Sequence, residues 1–139
     1  MTRPAFLGLV ETCLYVTDVA ASRDFYVDLF GFEPLGGNER IQPLAVGPGQ
    51  LLILFKRGAT PNPIPVANGF IPPHDGGGEQ HFAFGVPTEA LEDWKAVLAG
   101  KGIAVESTID WPQGGHSLYF RDPERLLVEL VTPGLWKNF

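Results

Sequence analysis

Residues 11–32, "ETCLYVTDVAASRDFYVDLFGF", and residues 81–103, "HFAFGVPTEALEDWKAVLAGKGI", are two versions of one design. Each opens with alternating side chains ending at Val16 or Val86, the period of a half-buried strand. Each then offers a helix start, Asp18 in the first copy and Thr88 in the second, because a short oxygen-bearing side chain accepts orphan amide protons of a first turn. Val19, Ser22, Phe25, Tyr26 and Leu29 recur at helical spacing in one copy, as do Leu91, Trp94, Val97 and Leu98 in the other. Gly31 and Gly102 stop the two helices, and a branched or aromatic residue then opens a new strand.

Outward from these segments the correspondence continues. "PLAVGPGQLLILFKRG" (43–58) and "SLYFRDPERLLVELVTPG" (117–134) both read as strand, tight turn, strand and glycine. Gly47-Pro48-Gly49 carries one turn and Asp122-Pro123 the other. Each half is therefore expected to be βαβββ, module one over about 8–58 and module two over about 80–134. The fold class is α+β, two tandem modules in a single domain spanning 1–139. Between them lies "RGATPNPIPVANGFIPPHDGGGE" (57–79), whose proline and glycine content predicts a crossover at about 59–79 without regular structure. Phe70 and Ile71 suggest that it packs against something, and "GGG" at 76–78 reads as a flexible hinge.

Bulk properties exclude several classes. A chain of 139 residues can bury a substantial core, and 45% apolar with 19% charged residues is ordinary for a soluble protein. A net charge of −6 offers no basic surface for a phosphate backbone, so nucleic acid is not an expected partner. The single cysteine, Cys13, excludes an internal disulfide and a Cys-based zinc site, and reads as a small hydrophobe. No window suits a signal peptide or a membrane span, so a cytoplasmic protein without a membrane partner is expected.

Strand parity assigns neighbours. Glu11, Cys13 and Tyr15 share a face, as do His81, Ala83 and Gly85, a face that is small apart from its histidine and suits a cavity wall. Glu129 shares its face with Leu127 and Val131 within an otherwise apolar run. The repeat puts Glu11 and His81 at equivalent positions, and the position matching Glu129 in the first half falls at Ile53 or Leu54. Carboxylates embedded in apolar strands are costly unless paired or metal-bound, and two of them beside an imidazole would repel. A divalent cation removes that conflict, with oxygen-rich ligation favouring Mn, Mg or Fe over a closed structural zinc site.

Two βαβββ copies, with "FYVDLFGFE" (25–33) and "LYFRDPERLLVELVTPG" (118–134), resemble the vicinal oxygen chelate superfamily of glyoxalase I, extradiol dioxygenases, fosfomycin-resistance and bleomycin-resistance proteins. The resemblance covers about Leu9 to Pro133. It implies curved mixed sheets around an open cleft, a divalent metal ion (Mn, Fe, Ni, Zn or Mg), a small-molecule substrate and a homodimer. It also implies that Glu11, His81 and Glu129 are the metal ligands. Tyr119 matches a substrate-contacting tyrosine of the fosfomycin-resistance type, alternatively a plain strand aromatic. Glu129 and Tyr119 are thus the catalytic candidates. Ser117 and Arg121 share the face of Tyr119 and are substrate-binding candidates, Arg121 alternatively supporting its turn; Phe55 is a candidate pocket wall.

Three departures from the family patterns narrow the chemistry. Neither Ile53 nor Leu54 binds a metal, which removes the fourth ligand and proton shuttle of glyoxalase I. Glu11 stands where extradiol dioxygenases and fosfomycin-resistance enzymes have histidine, and the basic residues around a phosphonate are scarce. The expectation is a metal-dependent lyase, isomerase or transferase rather than a dioxygenase. The alternative is a bleomycin-resistance-like binding protein that performs no chemistry. His116 is expected to be exposed, and His74 to reach a cleft only where the crossover folds over it.

Overall fold

Strand β1 (Glu11–Val16) runs parallel to β4 (Gln50–Lys56), which pairs antiparallel with β3 (Ile41–Gly47), itself flanked by the two-residue β2 (Glu33–Pro34). Helix α1 (Val19–Phe30) makes the crossover between the first two strands in sequence. The computed structural model describes residues 1–139 and divides into two compact units, 1–77 and 78–139. The second unit repeats the plan: β7 (His81–Gly85), α2 (Leu91–Gly100), β8 (Ser107–Asp110), β9 (His116–Arg121) and β10 (Leu127–Val131), in the sheet order β7-β10-β9-β8. Both modules are the expected βαβββ.

In the first unit the pleat separates two environments. Leu14, Val16, Leu44, Leu52 and Leu54 are almost fully buried, as are Val19, Ser22, Tyr26 and Leu29 along one stripe of α1. Each such leucine contributes about 2 kcal/mol by leaving water. Asp18 caps the helix as expected, accepting from the amide of Ala21 at 3.0 Å, and Gly31 closes it in the left-handed region at φ 73°. The other face of the same strands carries Glu11, Cys13, Tyr15, Ile53 and Phe55. In the second unit Leu118, Phe120, Val128 and Leu130 are fully buried.

Several expectations about local structure give way. Thr88 does not cap α2: it begins a 3-10 turn, Thr88–Ala90, and the helix proper starts at Leu91 with no side-chain cap. Pro87 fixes the extended entry, and the tighter turn uses the residues meant for a cap. Leu91 and Leu98 are buried on α2, whereas Val97 is 39% exposed.

The crossover has regular structure after all. Ile64–Val66 (β5) and Gly69–Ile71 (β6) pair antiparallel as a hairpin whose turn puts Ala67 at a φ of 45°. Residues after it fold onto β1: His74 Nδ1 meets the Tyr15 hydroxyl at 2.7 Å. The first glycine of the "GGG" run is a seat for the Tyr15 ring. A Cβ on Gly76 would stand 2.6 Å from the Tyr15 ring, so only glycine lets the backbone lie flat against it. Phe70 and Ile71 are both exposed, at 62% and 44%, and Ile71 lines the cavity of the first unit.

Candidate active site

β10 pairs with both β7 and β9, and this double pairing assembles a polar cluster in the second unit. The register sets Glu129 opposite Ala83 on one side and Tyr119 on the other, with His81 opposite Leu127. His81 Nε2 lies 3.1 Å from Glu129 Oε2. The other imidazole nitrogen, Nδ1, is 3.0 Å from the Leu127 carbonyl, which can only accept, so Nδ1 carries the proton. Glu129 Oε1 accepts from Ser117 Oγ at 2.5 Å and from the Tyr119 hydroxyl at 3.1 Å. Trp111 completes the chain by donating its indole N–H to Ser117 Oγ at 2.8 Å.

This hydrogen bonding leaves one unresolved contact with chemical meaning. A neutral His81 with its proton on Nδ1 turns a lone pair toward a carboxylate oxygen, and two lone pairs repel. A proton or a metal cation between Nε2 and Oε2 relieves that contact. Half-exposed His81 and buried Glu129, both oriented by outer partners, therefore fit as two donors to a divalent ion. No three His, Cys, Asp or Glu side chains are gathered as a ready cluster. Tyr119 keeps its proton above the ordinary tyrosine range, chiefly because it is partly desolvated; Ser117 pulls the other way, and the Glu129 charge and hydrogen bond add further, smaller pushes upward.

Glu11 lies on β1 of the first unit and is exposed, so the desolvation argument made from sequence for two buried carboxylates holds for Glu129 alone. The register also resolves the fourth position. Cys13 faces Ile53 as Ala83 faces Glu129, so Ile53 is the counterpart, and Pro43 is the counterpart of Tyr119. Arg121 is committed elsewhere: it pairs with Glu106 at 2.9 Å and donates to the Arg125 carbonyl at 3.1 Å, bracing the turn. That pairing holds Glu106 below the usual carboxylate range. His116 pairs with Asp110 at 2.7 Å.

In the first unit, Glu11, Cys13, Tyr15, Ile53 and Phe55 floor a cavity of about 530 Å³ that Ile64, Ile71 and His74 cover from the crossover side. Phe55 stacks on Tyr15 with centroids 5.7 Å apart and meets His74 edge-on at 4.6 Å. Burial, and then the neighbouring Glu11 charge, push the Cys13 thiol up, which keeps it unreactive. The sequence did not reveal the Trp111–Ser117 link, because the chain reversal that carries Trp111 back to β9 has no fixed register in "WPQGG".

Residues 8–130 match the family model described as Glyoxalase/Bleomycin resistance protein/Dioxygenase superfamily. A crystal structure of lactoylglutathione lyase from Agrobacterium tumefaciens is 33% identical over 94% of this chain and 96% of its own, with a TM-score of 0.83. Two others share the fold at lower identity. The fosfomycin resistance protein FosX from Listeria monocytogenes, complexed with Mn(II) and sulfate, is 19% identical over 94% of each chain at a TM-score of 0.69. An integron cassette protein from the Halifax Harbour sewage metagenome is 24% identical over 91% of this chain and 99% of its own at 0.72. Among curated proteins no sequence matches this chain. No helix is long and apolar enough to cross a membrane.

Proposed function

The chain belongs to the glyoxalase/bleomycin resistance protein/dioxygenase superfamily, and from that premise we propose that it is a divalent-metal-dependent enzyme acting on a small substrate that chelates through neighbouring oxygens. The observation that carries the reading is the His81–Glu129 contact, in which the two facing atoms are the ones their other hydrogen bonds leave over. His81 and Glu129 would hold the ion, with Glu11, from this chain or a second copy in a homodimer, as the third ligand. The ion, when bound, supplies a Lewis acid that stabilises negative charge developing on a substrate oxygen.

The chain's own groups do the rest. The Leu127 carbonyl fixes the His81 tautomer, and Ser117 with Tyr119 fixes the rotation of the Glu129 carboxylate. Tyr119, held as a phenol, donates a hydrogen bond and is the substrate-facing candidate of this cluster. A lyase, isomerase or transferase reaction is favoured over dioxygenation, because Glu11 stands in place of a second histidine and the lactoylglutathione lyase structure is 33% identical. The apolar residue Ile53 at the fourth position leaves ligand sites for substrate.

A binding-only protein is the second reading, favoured by the largely apolar cavity of the first unit. Elemental analysis of tag-free protein separates the two. Stoichiometric Mn, Fe, Ni or Zn in the parent, lost in Glu129→Gln, supports the metal site. No metal after reconstitution with each ion overturns it.

A further inference from the structure

The cavity of the first unit is polarised along its length. Its middle is apolar, lined by Ile41, Ile53, Phe55, Ile64 and Ile71. Glu11 marks one end, opposite Leu51, while Tyr15, Phe55 and Ile41 stand in one row at the other. Tyr15 is four residue steps along the strand from Glu11, about 13 Å at the usual strand rise. Arg40 immediately precedes Ile41 and lines the cavity at this far end. Like Arg3 and Arg57 it forms no ion pair, whereas Arg23, Arg121 and Arg125 each have a carboxylate partner. The nearby Tyr15 hydroxyl stays protonated, raised mainly by burial, so no phenolate competes for the guanidinium.

We propose that this cavity takes a small aromatic carboxylate, its ring between Phe55 and the β5–β6 hairpin and its anionic group on the Arg40 guanidinium. The volume suits a ligand of that size, and Phe55, edge-on to His74, presents a flat apolar wall. An anion at the Glu11 end would be repelled, whereas at Arg40 it gains a charge-assisted, potentially bidentate contact. The proposal rests on the proposed function only in assigning this molecule as the apolar end of the substrate. The pocket itself requires no metal.

The test uses the full-length, metal-stripped protein and two probes, 2-naphthoate and its uncharged amide, titrated calorimetrically. The parent is expected to bind the carboxylate about tenfold more tightly than the amide. Arg40→Gln removes that preference while leaving amide binding within about twofold, and Ile64→Trp, which fills the cavity from the hairpin, weakens both probes about tenfold or more. Should Ile64→Trp fail to fold, Cys13→Leu fills the same space from the floor. Equal affinities in the parent, a preference that survives Arg40→Gln, or no binding of either probe overturns the proposal. Metal content is measured on separate protein, so absence of metal with intact naphthoate binding sinks the enzyme and keeps the pocket; the reverse result keeps the enzyme and sinks this ligand class.

Discussion

His81 Nε2 points at Glu129 Oε2 from 3.1 Å while Ser117 and Tyr119 both occupy Glu129 Oε1. The carboxylate is thus held by one oxygen and presented by the other. Replacing Ser117 with Ala removes the shorter of the two holding contacts and leaves the Trp111 indole without its acceptor. Metal affinity, measured by competition with a chromophoric chelator, is expected to fall about 10–100-fold while the far-UV spectrum is unchanged. Unchanged affinity would remove Ser117 from the positioning role.

Tyr119 predicts an alkaline signature. Its folded pKa is raised above the ordinary value of 10.0, so its contribution to stability is complete below that pH and disappears as pH rises through the folded value. Subtracting the phenolate absorbance of Tyr119→Phe from that of the parent should reveal a midpoint above 10. A midpoint at or below 10 would show that the phenol is not held neutral by Glu129 and burial.

The crossover carries an acid-sensitive tie. Asp75 accepts from the amides of Gly58 and Gly76 at 3.1 and 2.9 Å, and these bonds hold its carboxyl below its usual 3.8. A lowered folded pKa gives stability that is present above about pH 3.8 and lost as pH falls through the folded value. Amide exchange at Gly58 should therefore stay protected down to that region and lose protection below it. Asp75→Ala should lack the protection at neutral pH as well.

Gly76 predicts a steric penalty. A methyl group there meets the Tyr15 ring at 2.6 Å, and either ring or backbone must move. Gly76→Ala is expected to cost about 1–3 kcal/mol in urea unfolding. The displaced ring should also lengthen the Tyr15–His74 bond, visible as a changed His74 imidazole resonance. A neutral substitution would mean that the segment shifts freely.

What the sequence made legible follows from period and length. β1 and β7 stand out because alternation separates a buried face from an open one, and Asp18 is legible because its oxygen reaches the third amide onward. The hairpin of the crossover was missed because three-residue strands are shorter than any periodic window, and Pro63, Pro65 and Pro72 suggest disorder of the ladder. Its turn is Ala67-Asn68, with the positive φ at Ala67, a residue that carries no turn signal in the sequence. Glu11 and His81 were readable as equivalents from the repeat, whereas choosing Ile53 over Leu54 needed the strand register. Trp111 was invisible, since its role depends on where a chain reversal returns it.

The equivalence of Pro43 and Ile53 with Tyr119 and Glu129 bears on which substitutions each half tolerates. The two halves share one register plan but put unlike side chains on it. The polar pair in one half forbids drift, because each hydroxyl there answers to a single carboxylate. The matching pair in the other half has no such obligation, so changes at Pro43 and Ile53 alter which molecules fit the first unit's cavity without touching the hydrogen bonds of the second. The ligand-fitting wall and the carboxylate-holding wall can therefore be altered one at a time.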